Sequence, residues 1–121
     1  MKKKNIKKLL IYGGGFDPVH NGHINLLKSA INRINPNLVF IVPSKKPLLS
    51  NKSSHYASFA DRLNMCKIAF SKLSKKIYFS DFENKYDRIY TFQLIKFLRC
   101  KYRNYSLFFL LGSDRAINFK R

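Results

Sequence analysis

The chain has 121 residues, 45% hydrophobic and 15% aromatic, a globular composition and not a disordered one, which suits one domain over residues 1–121. Its formal net charge is +18, which points either to a polyanionic partner or to a Lys-, Asn- and Ile-rich composition. No apolar run approaches the ~18 residues of a membrane span, so no transmembrane helix is expected.

Met1 to Lys8 has the charge of a secretory leader, but only Leu9 to Tyr12 follow before the glycines, which is too short a core for one. A cytoplasmic protein is expected. In the cytosol, Cys66 and Cys100 are read as two reduced thiols in helices. The basic residues are scattered along the sequence and densest at the N-terminal tip. Composition is therefore the preferred reading of the charge. Any nucleic-acid binding is expected to be non-specific.

The run Leu9-Leu10-Ile11-Tyr12 predicts a short buried parallel strand that stops at three glycines. Asn21 stands where a helix N-cap would, and Ile24, Leu27, Ala30, Ile31 and Ile34 follow at helical spacing. Asn35-Pro36-Asn37 breaks that helix. Leu38 to Val42 predicts a second buried strand, ended by Pro43, with a Ser-, Lys- and Pro-rich loop running to about His55. A second helix is expected from Ser58 to Leu73, opened by Ser58 with Asp61 three residues on. Ile77 to Ser80 predicts a third strand. Thr91 opens a third helix carrying Leu94, Ile95, Leu98 and Tyr102. Leu107 to Leu111 predicts a fourth strand, ended by Gly112-Ser113-Asp114, with a short helix from about Asp114. The alternation of strand and helix argues for an α/β, Rossmann-like parallel sheet with helices on both faces. Ligands then bind at the carboxyl ends of the strands, where both glycine-bearing turns fall.

The chemistry concentrates in Gly13-Gly14-Gly15-Phe16-Asp17-Pro18-Val19-His20-Asn21-Gly22-His23. Glycines after a buried strand let backbone approach a phosphate, and a helix start beside them adds its dipole. His20 and His23, three residues apart, can face one anion. Asp17 can bond loop N–H groups, and Pro18 stiffens the turn. No Gly-Lys-Ser/Thr follows, so this is not a Walker loop, and the glycine spacing fails the dinucleotide fingerprint. His20 and His23 could ligate a metal, but no nearby Cys or third His completes a site, and none is expected.

Gly14 to His23 resembles the G-[TSG]-F-D-P-x-H-x-G-H motif of the HxGH nucleotidyltransferases. Five further segments resemble the nicotinate mononucleotide adenylyltransferase branch: Ile41 to Pro47, Ala60 to Met65, Ser80 to Glu83, Tyr90 to Leu94 and Leu110 to Asp114. The phosphopantetheine branch matches less well at Tyr90-Thr91 and Gly112-Ser113-Asp114. The resemblance implies adenylyl transfer from ATP to nicotinate mononucleotide, with Mg²⁺ accompanying ATP. It implies His20 and His23 as catalytic residues. Gly13, Gly14, Gly15, Phe16, His23, Gly112 and Asp114 are implied at ATP, and Lys45, Lys46, Tyr90 and Thr91 at the other substrate. Arg62 is expected to form a structural ion pair, and His55 is assigned no role. The family's Trp after the Gly-Ser-Asp turn and its later I-S-S-T-x-I-R segment have no counterpart in the chain. The chain is therefore expected to be a truncated relative, a fragment or a decayed gene product, with a non-catalytic remnant binding nucleotide or RNA as the rival reading.

Overall fold

The computed structural model describes residues 6–44, 57–80 and 91–111, with the backbone alone at positions 91 and 92. The elements are β1 (Lys7–Gly14), α1 (Asn21–Ile34), β2 (Leu38–Pro43), α2 (Phe59–Phe70), β3 (Ile77–Phe79), α3 (Thr91–Lys101) and β4 (Tyr105–Leu111). The strands form one sheet in the order β3-β2-β1-β4. Every pairing is parallel. The chain winds outward from β1 to β2 and β3, then returns to place β4 on the other side of β1. The order thus reverses beside β1, and the crevice between the carboxyl ends of β1 and β4 is the switch point where such sheets bind ligands.

Period-two alternation splits the core into two layers. Leu10, Tyr12, Val39 and Ile41 face one way and pack with Leu27 of α1 and with Cys66 and Phe70 of α2. Leu9, Ile11 and Val42 face the other way, against Leu94 and Leu98 of α3. Helices therefore cover both faces, as the alternation predicted. On α2 the buried residues are Arg62, Cys66 and Phe70, one every four positions. Each fully buried Leu, Ile or Phe contributes about 1.5–3 kcal/mol relative to exposure. Burial pushes the Cys66 thiol up to about 12, with the Arg62 guanidinium acting weakly in the opposite direction. Cys100 is exposed, and both thiols are free.

The break after α1 has a clear cause. Asn35 takes the left-handed conformation at φ 52° and donates its N–H to the Ile31 carbonyl. Lys8 Nζ donates to the Ile34 carbonyl at 3.1 Å. Asn37 then locks onto β1, its Oδ1 accepting from the Lys8 N–H at 2.7 Å while its own N–H meets the Lys8 carbonyl.

Several boundaries differ from the sequence expectation. β1 starts at Lys7 and runs through Gly13 and Gly14, because these residues keep ladder partners in Tyr105, Val42 and Pro43. β4 starts at Tyr105 for the same reason. α2 ends at Phe70, where the Leu73 N–H turns back to the Phe70 carbonyl. β3 ends at Phe79, although the Ser80 N–H still reaches the Ile41 carbonyl at 2.8 Å. The short helix expected from Asp114 lies outside the described residues. Among the described residues, no helix is long and apolar enough to cross a membrane.

Candidate functional site

β1 delivers the glycine loop to the switch point, and α1 starts at its far end. At that start the structure corrects the expected cap. The N-cap is His20, not Asn21. His20 Nδ1 accepts from the Gly22 N–H at 3.1 Å, and His23 Nδ1 accepts from the His20 N–H at 3.0 Å. Two histidines thus make the reciprocal arrangement that Ser and Glu make in an ordinary capping box. The consequence is chemical. A neutral imidazole whose Nδ1 accepts carries its proton on Nε2, so both rings are assigned as Nε2–H tautomers. Their centroids lie 3.9 Å apart at an interplanar angle of 31°. The helix start therefore holds two stacked imidazoles whose remaining ring nitrogens are donors, suited to anionic oxygens.

The core supports this pair from beneath. The His23 ring meets the Phe16 ring edge-on at 5.1 Å, and Phe16 in turn meets Tyr12 at 5.1 Å and Phe70 at 5.9 Å. Phe16 is 2% exposed, so its contribution to a nucleotide site would come through its backbone, held at φ 52°. Holding a non-glycine residue there costs of order 1–3 kcal/mol, and burial of the ring offsets it.

Two glycines owe their place to room, not to left-handed backbone. A Cβ on Gly14 would lie 3.1 Å from Phe16 Cζ, so the bare Cα lets the Phe16 ring fold back over β1. A Cβ on Gly22 would lie 2.8 Å from His20 Cε1, which would displace the capping imidazole. The Asp17–Pro18 peptide bond is cis.

The loop is tied to the rest of the sheet edge by residues whose reach the sequence did not reveal. Asp17 was expected to brace its own turn; its Oδ1 accepts from the Ala57 N–H at 3.1 Å, forty residues on. Arg62 is 1% exposed. Its Nη1 donates to the carbonyls of Gly15 at 2.9 Å and Ser44 at 2.7 Å, and its Nε to that of Ala57 at 3.1 Å. Expected only as an ion-pair former, it pins the glycine loop, the end of β2 and the approach to α2 together. The resembling segment Ala60 to Met65 marks the residue, but backbone carbonyls leave no residue type by which to find these partners.

Lys45, Lys46, Tyr90, Gly112 and Asp114 lie outside the described residues. Two of their chain neighbours, Ser44 and Leu111, lie beside the glycine strand end. Ser44 is buried, with its N–H on the Gly14 carbonyl at 2.8 Å. Leu111, which precedes Gly112, stands in register with Gly13. Thr91 is the first residue of α3.

Comparison with known proteins identifies the family and the fold. The probable nicotinate-nucleotide adenylyltransferase of Aquifex aeolicus is 39% identical over 113 residues, covering 93% of this chain and 66% of that protein. Its counterpart in Clostridium tetani is 34% identical, covering 90% of this chain and 54% of that protein. The nicotinic acid mononucleotide adenylyltransferase of Plasmodium falciparum, solved in complex with NaAD, superposes with a TM-score of 0.77 at 29% identity, over 93% of this chain and 55% of that one. The chain thus spans between about half and two thirds of the length of these three proteins. A family model described as cytidylyltransferase-like matches residues 11–120, from the middle of β1 to beyond β4, and the chain belongs to that family.

Proposed function

We propose that the chain takes part in adenylyl transfer from ATP to nicotinate mononucleotide, giving nicotinate adenine dinucleotide and pyrophosphate, in the cytoplasm. The observation that carries this reading is the stacked pair of Nε2–H imidazoles at the start of α1, on the carboxyl edge of the sheet. The names of the relatives support the substrate, as do Plasmodium falciparum structures complexed with NaAD and with APC.

The 5′-phosphate of nicotinate mononucleotide is already an anion and needs no general base. Its oxygen forms a bond to the α-phosphorus of ATP as the bond to pyrophosphate breaks. The protein must align two anions and stabilise charge growing on the α-phosphate and the leaving group. His23, wedged against Phe16, is the more firmly placed donor, and His20 assists. Lys45 and Lys46 would neutralise phosphate charge. Tyr90 and Thr91 would meet the nicotinate ribonucleotide, and Gly112 and Asp114 the ATP sugar. The two imidazoles present donors, and the Asp17 Oδ1 oxygen is engaged by Ala57. Such a site fits Mg²⁺ that arrives on the ATP phosphates, where the ion would screen their charge.

The test is product formation by the whole chain with ATP, nicotinate mononucleotide and Mg²⁺, followed by chromatography. Nicotinate adenine dinucleotide should appear. His23→Ala should lower kcat by ~10²–10³ with little change in the KM for ATP. A wild-type chain that forms no dinucleotide, or a His23→Ala variant that keeps its kcat, overturns the proposal.

A further inference from the structure

Six described basic residues, far apart in the sequence, are brought to one edge by the fold. In a parallel sheet every helix-to-strand turn lies at the amino edge, opposite the nucleotide crevice. Lys7 opens β1, Arg33 lies in the last turn of α1, Lys75 and Lys76 precede β3, and Lys101 and Arg103 precede β4; all six are exposed. The two described carboxylates lie elsewhere: Asp17 follows β1 and Asp61 stands in the first turn of α2. Among the described residues, the amino edge carries cations and no carboxylate.

A row of aromatic rings runs across the same edge, on the α3 face of the sheet. Tyr78 on the outer strand β3 is 54% exposed. Its ring meets Phe40 of β2 at 6.1 Å, Phe40 meets Tyr102 at 5.5 Å, and Tyr102 meets Tyr105 at 5.3 Å. Phe40, Tyr102 and Tyr105 are partly buried. Cations stand over this row. Lys101 Nζ lies 5.9 Å from the Tyr102 centroid and Lys7 Nζ 5.8 Å from that of Tyr105.

We propose that this amino edge binds single-stranded RNA. Cations to neutralise a phosphate backbone, beside the exposed Tyr78 ring on which a base can stack, are the two components of a sequence-tolerant single-strand surface. A lipid surface would ask for apolar side chains projecting outward, whereas three of these four rings lie half-buried in an edge-to-face row. In the cytoplasm expected from the sequence, single strands are RNA. The surface is remote from the glycine loop, so RNA and nucleotide would be held at opposite ends of the same strands.

The test is fluorescence anisotropy of a labelled 20-nucleotide oligouridine with the whole chain over a salt series. Lys76→Gln/Arg103→Gln should weaken binding by about tenfold and flatten the logarithmic salt slope by about 1.4, since each neutralised phosphate on a single strand contributes about 0.7. Lys28→Gln/Lys96→Gln removes the same charge from exposed positions within α1 and α3, and should weaken binding by no more than about twofold. Tyr78→Ala should weaken it by about fivefold or more while Tyr78→Phe binds as wild type. Circular dichroism melts establish that each variant is folded. Equal losses in the two charge pairs would mean a diffuse field and overturn the proposal, as would an unaffected Tyr78→Ala. Tighter binding of a 20-nucleotide oligothymidine would assign the edge to DNA, and displacement of the RNA by phosphatidylserine vesicles would assign it to lipid; either overturns it.

Discussion

The Nη1 atom of Arg62 lies 2.9 Å from the carbonyl oxygen of Gly15, 47 residues earlier in the chain. The same nitrogen reaches the Ser44 carbonyl, so one buried guanidinium closes the gap between the ends of β1 and β2. Arg62→Ala would leave those carbonyls and that of Ala57 without this donor in a water-poor setting. Each buried group so orphaned costs about 1–3 kcal/mol. Chemical denaturation should show a loss of at least about 3 kcal/mol. Arg62→Lys should recover only part of it, because one ammonium cannot reproduce the planar fork. A loss below about 1 kcal/mol for Arg62→Ala would mean that water replaces the guanidinium and that the loop stands without it.

The tautomers of the two histidines can be read directly. Nitrogen-15 correlation spectra of the imidazoles at a pH where both are neutral should show His20 and His23 as Nε2–H forms, because each Nδ1 accepts a backbone N–H. His23→Asn can keep an acceptor near the Nδ1 position but has no donor at that of Nε2. It should hold the stability of the helix start within about 0.5 kcal/mol while transfer activity falls as far as in His23→Ala. An Nδ1–H signal from either ring would refute the reciprocal cap.

Much of this architecture was legible in the chain. Strands β1, β2 and β4 announced themselves as apolar runs, and the parallel order followed from their alternation with helices. The glycine loop and its two histidines stand out in the sequence as a candidate phosphate site. What stayed hidden has a common cause. Asn21 is the better cap by residue type, but His20 takes the position, its Nδ1 accepting from the Gly22 N–H while its own N–H goes to His23 Nδ1. Arg62 bonds to main-chain oxygens, which leave no side-chain signature. Gly14 reads as a phosphate-loop glycine and Gly22 carries no assigned role, and the room each leaves, for Phe16 and for His20, shows only in the structure. The basic edge was masked by distance in sequence, since its turns are brought together only by the sheet.

The two thiols should separate cleanly. Cys66 is fully buried with its thiol pushed up to about 12, while Cys100 is exposed on α3. Titration of the native chain with a disulfide reagent near pH 8 should consume one equivalent quickly, and guanidinium should release the second. In the unfolded chain Cys66 ionises at its ordinary value of 9.0, whereas the folded chain holds the proton up to about 12. The folded state therefore binds more protons in that window, and stability falls as pH rises through it. Cys66→Ala should flatten that fall relative to wild type. Two fast equivalents in the native chain would show that α2 opens far more readily than its packing implies.

Gly22 offers the sharpest separation of stability from function. Gly→Ala in a helix ordinarily stabilises by up to about 1 kcal/mol. At this position the new methyl would stand 2.8 Å from His20 Cε1 and 3.0 Å from its Nδ1. The imidazole is an exposed side chain and can swing away, so the backbone need not distort. Swinging away breaks its bond from the Gly22 N–H, and losing such a cap costs about 1 kcal/mol. The two effects should nearly cancel, leaving Gly22→Ala within about 0.5 kcal/mol of wild type in a denaturant melt. Transfer activity should nonetheless fall, because the displaced His20 no longer stacks on His23. A double-mutant cycle isolates the clash. In a His20→Ala background there is no ring to strike and no cap to lose, so Gly22→Ala should then stabilise by about 0.5–1 kcal/mol. If Gly22→Ala changed stability equally in both backgrounds, the glycine would be serving the helix alone, and room for the His20 ring would not be the reason it stands between the two histidines.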